Sequence, residues 1–353
     1  MKTILITALS LILCINPLLS QQTAIPDPNF EQALIDLGYD SPPIDGYVPT
    51  ANIVGVTELF IGDKGIADLT GIEDFASLHL LICYYNSLDS LDLSNNTNLV
   101  ELLCYNNQLT YLVHANNSHL EILDCDDNQL TSLDISGATN LKEIYISNNN
   151  LTSIDVSNNT NLEKLSVSSN DLDSIDVSHN HKLWLLNTYE NNITNLDVSH
   201  NNLLTHLLCN NDQLESLNMK NNNNVNVTMF DATNNPNLYC IQVDNADWAE
   251  DNWRDFVDSQ VEFSEDCETV GVSTHFYDNI NIYPNPSSGN FTIETGQLNN
   301  ISMKLYNVFG QLISEKKSIT GPLYHFNVQG SPGVYFLELK YQSELVNYKI
   351  VKR

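Results

Sequence analysis

Residues 120–134 read Leu-Glu-Ile-Leu-Asp-Cys-Asp-Asp-Asn-Gln-Leu-Thr-Ser-Leu-Asp, and the chain on either side repeats that pattern every 21 residues. Leu78, Leu99, Leu120, Leu141, Leu162, Leu183 and Leu204 mark the period, and Val225 extends it to seven intervals, or 147 residues. Within one period Leu99, Leu102, Cys104, Asn107, Leu109 and Leu112 hold offsets that Leu120, Leu123, Cys125, Asn128, Leu130 and Leu133 repeat. A weaker row, Leu59, Ile61, Ile66 and Leu69, precedes them. A fixed period of this length is the signature of a solenoid, in which each coil buries its apolar side against its neighbours.

The offsets set the geometry of a coil. Side chains alternate along a strand, so Leu102 and Cys104 share the inward face of a short extended segment. Leu130, Leu133 and Ile135 repeat the spacing, which predicts that both sides of each coil are extended. Coils stacked at about 4.8 Å would make eight or nine of them a rod of roughly 40 Å. The column Asn86, Asn107, Asn128, Asn149, Asn170 and Asn191 falls where the chain must bend inward. There an amide that both donates and accepts can satisfy two buried backbone groups. Asp212 breaks the column by keeping the acceptor and losing the donor, which predicts a looser turn.

The motif Leu-x-x-Leu-x-Cys-x-x-Asn-x-Leu-x-x-Leu-Asp resembles the bacterial 21-residue class of leucine-rich repeats, in the manner of cysteine-ladder, internalin-like surface proteins. The resemblance covers residues 57–245. It implies a curved leucine-rich-repeat solenoid of stacked short parallel β-strands that binds partners and performs no chemistry of its own. Solenoid ends need caps. Residues 21–56 supply a helical N-terminal cap, in which Asp27 and Pro28 read as helix start. Phe30, Ala33, Leu34 and Leu37 form its apolar stripe, and Gly38 ends it. Residues 246–267, with Trp248, Trp253, Phe256 and Val257, read as the C-terminal cap.

The cysteines divide by position. Cys83, Cys104, Cys125 and Cys209 fall in one column with Ile146, Val167, Thr188 and Phe230, so they read as small buried hydrophobes. No His stands beside them, and parallel side chains would line thiols up instead of surrounding a metal. Cys240 and Cys267 bracket the C-terminal cap, and in an exported protein they are expected to form a disulfide.

Export is expected from both ends of the chain. Lys2 followed by the apolar run Ile4–Leu13 reads as a signal peptide over residues 1–20, too short for a membrane span. Residues 268–281 read as a linker, and 282–353 as a separate small β-sandwich of short strands and Gly turns. The segments Tyr283-Pro284-Asn285-Pro286, Gly310-Gln311-Leu312, Gly333-Val334-Tyr335-Phe336 and Lys349-Ile350-Val351-Lys352 together resemble the C-terminal sorting domain of type IX secretion. That resemblance implies passage through the type IX machinery of a Bacteroidetes-type bacterium. The protein is then released or attached to the outer-membrane surface.

Composition limits the function. With 44 acidic and 14 basic residues the formal charge is −30, which argues against a polyanionic partner such as nucleic acid. Residues 21–281 carry 40 acidic and 6 basic groups, or −34, while the tail carries 4 and 7, or +3. The chain contains 49 Asn, and their register with Leu, Ile and Val argues for architecture over disorder. No nucleophile elbow, zinc-protease motif or phosphate loop is present, so no enzymatic activity and no cofactor is expected.

Candidate binding residues lie on the outward positions that flank the buried strand column. One outward column reads Tyr84, Tyr105, Asp126, Ser147, Ser168, Tyr189, Asn210 and Asp231. Its neighbour reads Ile82, Leu103, Asp124, Tyr145, Ser166, Asn187, Leu208 and Met229. Exposed aromatics on a rigid sheet make interface anchors. The expected concave-face site is therefore Tyr84, Tyr85, Tyr105, Asp124, Asp126, Tyr145 and Tyr189, with a protein as ligand of an adhesin or adaptor, and a glycan ligand or a structural surface-layer role as the alternatives. Asp124, Asp126 and Asp127 offer three carboxylates in four residues, but no calcium-loop pattern, so a solvated acidic face is the preferred reading. The column Asp92, Asp134, Asp155, Asp176 and Asp197 is read as local turn hydrogen bonding.

Overall fold

One three-residue strand per coil builds the backbone of the first unit. The computed structural model describes residues 21–113, 117–267, 280–295, 300–341 and 344–353. The expected signal peptide, and most of the expected linker, lie outside these residues. The chain divides into two units at Glu265 and Asp266.

In the first unit nine parallel strands, from Glu58–Phe60 to Met229–Asp231, pair in chain order as a single sheet. Leu81, Leu102, Leu123, Ile144, Leu165, Leu186 and Leu207 stand opposite one another along it, all with no exposed surface. The Leu78-to-Leu204 column and the Leu88, Leu109, Leu130, Leu151 and Leu172 column are equally buried. Burying one such side chain contributes about 1.5–3 kcal/mol, so the three columns dominate the stability of a coil.

The 21-residue period slips once. A short 3₁₀ turn at Asn224–Asn226 inserts two residues, and Leu207 pairs with Phe230, 23 residues on. Val227 therefore takes the core position expected for Val225, which is 66% exposed. Phe230 joins the leucine column and Ala232 the cysteine column. On the outer face Asp231 stands opposite Leu208, Met229 opposite His206, and Thr233 follows Asn210.

The second side of the coil departs from expectation. Ser90–Asp92 pairs with Tyr111–Val113, and four strands from Asn195–Asp197 to Glu262–Ser264 form a second ladder. Across residues 131–135, 152–156 and 173–177 no strand is formed on that side. Coils held at ladder spacing on one face fan apart on the other, which interrupts hydrogen bonding there.

Both caps close the apolar ends. The helix Pro28–Asp36 starts at Asp27, whose carboxylate accepts from the Asn29 and Phe30 N–H at 2.8 and 3.1 Å. Its second oxygen accepts from Ala67 and Asp68 at 2.7 and 3.0 Å, fastening the cap to the first coil. Phe30, Ala33 and Leu34 are buried, while Leu37, at the helix end, is exposed. At the other end the helix Ala246–Trp253 places Trp253 against Phe230, with ring centroids 4.6 Å apart. Val257 is buried there, and Phe256 is exposed. Cys240 and Cys267 form the disulfide around this cap, and the 26 residues between them make a loop whose closure contributes about 3 kcal/mol.

The second unit is a sandwich of a three-stranded and a four-stranded antiparallel sheet around Phe291, Ile293, Met303, Leu305, Leu337 and Leu339. One edge strand of the four-stranded sheet is Leu312–Ile319. All its residues but Ile319 are exposed, so no apolar alternation marks it.

Candidate functional site

The turn after each strand fixes where the outward side chains stand. Each coil bends through one residue in the left-handed region: Asp63, Tyr85, Asn106, Asp127, Asn148, Ser169, Glu190, Asn211 and Asn234, with φ between 51° and 63°. In seven of these nine coils the next residue is the column Asn. Asn128 Oδ1 accepts from the Leu109 N–H of the preceding coil at 2.9 Å. Its Nδ2 donates to the carbonyls of Cys104, Cys125 and Asp126, each at 3.1 Å. The same clamp recurs at Asn107, Asn149 and Asn170. Below it, Cys83, Cys104, Cys125 and Cys209 are buried free thiols. Burial pushes Cys83 up to about 12 and the other three well above the usual thiol range, so they stay protonated.

The Asp212 turn is not looser. Asp212 is fully buried and accepts from Thr188 Oγ1 and the Asn191 N–H, each at 2.9 Å. Thr188 is the polar member of the column that otherwise holds Cys, Ile, Val and Ala, and its hydroxyl supplies a donor to this carboxyl. Burial raises Asp212 to about 7 against the lowering effect of those two hydrogen bonds.

Three tyrosines meet at the N-terminal end of the sheet. Tyr84 and Tyr105 stack with centroids 4.7 Å apart and planes 18° apart. Tyr85 sets its ring edgewise to both, at 5.7 and 5.6 Å. Gly62 precedes Tyr84 in the same outward column, and a Cβ there would lie 2.8 Å from Tyr84 Cε2. Gly62 thus leaves room for the Tyr84 ring to lie along the sheet. Its position one coil before Tyr84 was the sequence signal for this role. Tyr85 is 54% exposed and holds φ at +51°, a region that costs a non-glycine residue roughly 1 kcal/mol or more.

Asp126 follows Tyr105 in the column, with Asp124 two residues before it. Asp124 accepts from the Asp126 N–H at 3.2 Å, and Asp126 accepts from the Ser147 N–H. Both are half-buried. Burial first, then the neighbouring carboxylates, raises Asp124 and brings Asp126 to about 6. Among the described residues neither has a cationic partner. Beyond them Ser147, Ser166 and Ser168 form a low, buried floor, with Ser147 and Ser166 hydroxyls 2.9 Å apart.

The remaining two tyrosines stand apart from the trio. Tyr145 donates to Glu143 at 2.8 Å, and Glu143 in turn pairs with Lys164 at 3.0 Å. Tyr189 closes the far end of the serine floor, and its N–H bonds Asn187 Oδ1 at 3.2 Å. The Lys164 contact was missed in the sequence because it arises between coils, from side chains that stand side by side only once the register is known. On the opposite side of the coil, Asp92, Asp134, Asp155, Asp176 and Asp197 each accept the N–H of the Ser two residues on, at 2.8–3.0 Å. That column is turn structure. Among the described residues no group of three or more His, Cys, Asp or Glu is arranged to hold a metal ion.

Comparison with known proteins agrees with both units. Residues 281–353 match the secretion system C-terminal sorting domain, and residues 139–180 match two copies of the leucine-rich repeat. The comparison with curated proteins finds no match. Among solved structures, the chain is similar to the functional domain of InlJ from Listeria monocytogenes, described as including a cysteine ladder. That match has 19% identity over 95% of this chain and 99% of that one, with a TM-score of 0.38. Internalin C2 from Listeria monocytogenes matches at 24% identity over 64% of this chain and 98% of that one, with a TM-score of 0.46. A plant peptide hormone receptor, RGFR1 in complex with RGF2, matches at 20% identity over 49% of this chain and 34% of that one, with a TM-score of 0.40.

The protein is a leucine-rich-repeat protein with a type IX secretion sorting tail, and its place is outside the cell or on the outer-membrane surface. No helix among the described residues is long and apolar enough to cross a membrane.

Proposed function

We propose that the protein is a surface binding protein, an adhesin or adaptor without catalytic activity, which holds a protein partner against the sheet formed by its nine parallel strands. The binding residues are Tyr84, Tyr85 and Tyr105, continued by Asp124, Asp126, Tyr145 and Tyr189. The observation that carries this reading is Tyr85. Six of the other eight coils fill the left-handed turn position with Asn or Asp, which suit it. A bulky aromatic there is strained and half-exposed, and strain of this kind is retained where a side chain has work to do. The serine floor between Tyr105 and Tyr189 spans four coil steps, about 19 Å, which suits five or six residues of an extended segment.

The same tyrosines could stack on a glycan, and the ring geometry weighs against it. One face of Tyr84 lies over Gly62 and the other over Tyr105, so the stack offers one open ring face where sugar platforms use several. The full chain and a Tyr84→Ala/Tyr85→Ala/Tyr105→Ala variant should be compared in a cross-linked pull-down from cell-surface extracts and on a glycan array. The expected result is a protein partner lost with the variant at unchanged melting temperature. Equal capture by both proteins would remove this site.

A further inference from the structure

The outward column of the sheet descends abruptly between two coils. Tyr84 covers one face of the Tyr105 ring at 4.7 Å, and the stack runs along the coil axis. The other face of Tyr105 is therefore turned toward the next coil. The residue there is Asp126, whose side chain ends near where a tyrosine ring would begin, and Ser147 and Ser168 beyond it are shorter still. An aromatic ring thus precedes a carboxylate in the column, and the side chains beyond are shorter than the rings before it. Asp124 adds a second carboxylate to the floor of this step.

We propose that the step from Tyr105 down to Asp126 seats a cationic side chain, an arginine or lysine carried by an extended segment of the protein partner. The inference rests on the binding face proposed above and names the chemistry of its ligand. A cation there meets the negative face of an aromatic ring on one side and carboxylate oxygens below. A guanidinium suits this best, since it is planar, stacks on aromatic rings and matches a carboxylate with paired donors. The surroundings favour a positive ligand as well. The solenoid carries most of the chain's negative charge, with 40 acidic and 6 basic groups in residues 21–281. Asp126 and Asp124 have no cation of their own among the described residues, and half-burial leaves their ionised forms under-compensated. The groups acting on Asp126 are Asp124 and Asp127 on its own turn and the Ser147 N–H and hydroxyl of the following coil, while Tyr105 of the preceding coil lies within reach of Asp124. An arriving cation supplies the positive charge that this set lacks.

The test uses the mature full chain and hexapeptides of neutral residues around one central Arg, Lys, Gln or Glu, titrated by fluorescence anisotropy. The Arg and Lys peptides are expected to bind at least tenfold tighter than the Gln peptide, with the Glu peptide weakest. Asp126→Asn and Tyr105→Leu should each remove most of that preference, read within each variant as the ratio of Arg-peptide to Gln-peptide affinity. The preference should also shrink as pH falls below about 6, where Asp126 takes up its proton. Asp126→Asn keeps shape and size, so it carries the test if Tyr105→Leu does not fold. Equal binding of the Arg and Gln peptides would overturn the cation seat and leave the binding face standing. A chain that binds no hexapeptide but retains a neutral oligosaccharide would overturn both.

Discussion

Two asparagine columns run through the solenoid at the same period, and they do different work. In the first, at the turn after the sheet, Asn128, Asn149 and Asn170 each accept one backbone N–H and donate to carbonyls of their own and the preceding coil. In the second, on the far side, Asn180 donates to the Val156 and Asn159 carbonyls at 3.1 and 2.9 Å. Asn201 donates to those of Val177 and Asn180, both at 3.0 Å. The side-chain oxygens of Asn96, Asn117, Asn159, Asn180 and Asn201 in this second column have no partner among the protein's own described groups. The exceptions teach the same lesson. Ala138 stands in the second column, where the Ala138 N–H to Ile135 and Leu141 N–H to Ala138 bonds close the turn. The first column's exception, Asp212, comes with a matching change at Thr188. A residue that completes four backbone groups cannot be replaced alone, whereas one that completes two can.

The largest effect should come from breaking the first column. Asn128→Ala leaves the Leu109 N–H without its acceptor and three carbonyls without their shared donor, which should cost roughly 3 kcal/mol. Urea unfolding followed by circular dichroism measures it. Asn180→Ala, in the second column, should cost about 1 kcal/mol by the same assay. Equal losses at the two sites would break the comparison.

Asp212 sharpens it through pH. Its folded value, about 7, lies above the ordinary carboxylate value of 3.8, so the folded chain holds a proton that the unfolded chain releases between those limits. Raising the pH from 4 to 7 therefore removes stability through this residue, and the full penalty stands above about 7. The expected size is on the order of 2 kcal/mol. Stability curves of the wild type and Asp212→Asn, compared at each pH, isolate this group from the other carboxylates. Parallel curves from pH 4 to 8 would show that Asp212 titrates as an ordinary acid.

Much of this was legible beforehand. A period that repeats seven times in Leu, Cys and Asn leaves little choice of fold, and Asn in an inward turn has few uses besides the clamp that Asn128 makes. The cap helix was marked by Asp27 and Pro28, and the disulfide by two cysteines outside the ladder column. What escaped notice depends on register or on the absence of pattern. Val225 and Phe230 were misplaced because a two-residue insertion among Asn221–Asn224 carries no apolar marker of its own. Leu312–Ile319 is exposed on both faces, so it lacks the alternation that reveals a strand. In the site, the tyrosines at 84, 85 and 105 were visible one coil apart. The support from Gly62 and the salt-bridged surroundings of Tyr145 depend on which side chains abut between coils. Asp212 and Thr188 were each visible as a departure. Their coupling was not, because they lie 24 residues apart and meet only across a coil.

That coupling gives the smallest net effect and the sharpest test. Thr188→Val restores an apolar residue to its column but takes a hydroxyl donor from Asp212, leaving a buried carboxyl with the Asn191 N–H alone. The single change should cost about 1–2 kcal/mol at pH 7. Adding Asp212→Asn recreates the arrangement one coil earlier, where Val167 sits below the Asn191 clamp and Asn191 Nδ2 donates to the Val167 carbonyl at 3.0 Å. In the double variant the new amide has the Thr188-position carbonyl of the preceding coil within the same reach, so nothing buried is left unpaired. The double variant should therefore return to within about 0.5 kcal/mol of the wild type, with a coupling of about 1 kcal/mol between the sites. If the two changes simply add, the Asp and the Thr are independent departures, and the first column tolerates single replacements as readily as the second.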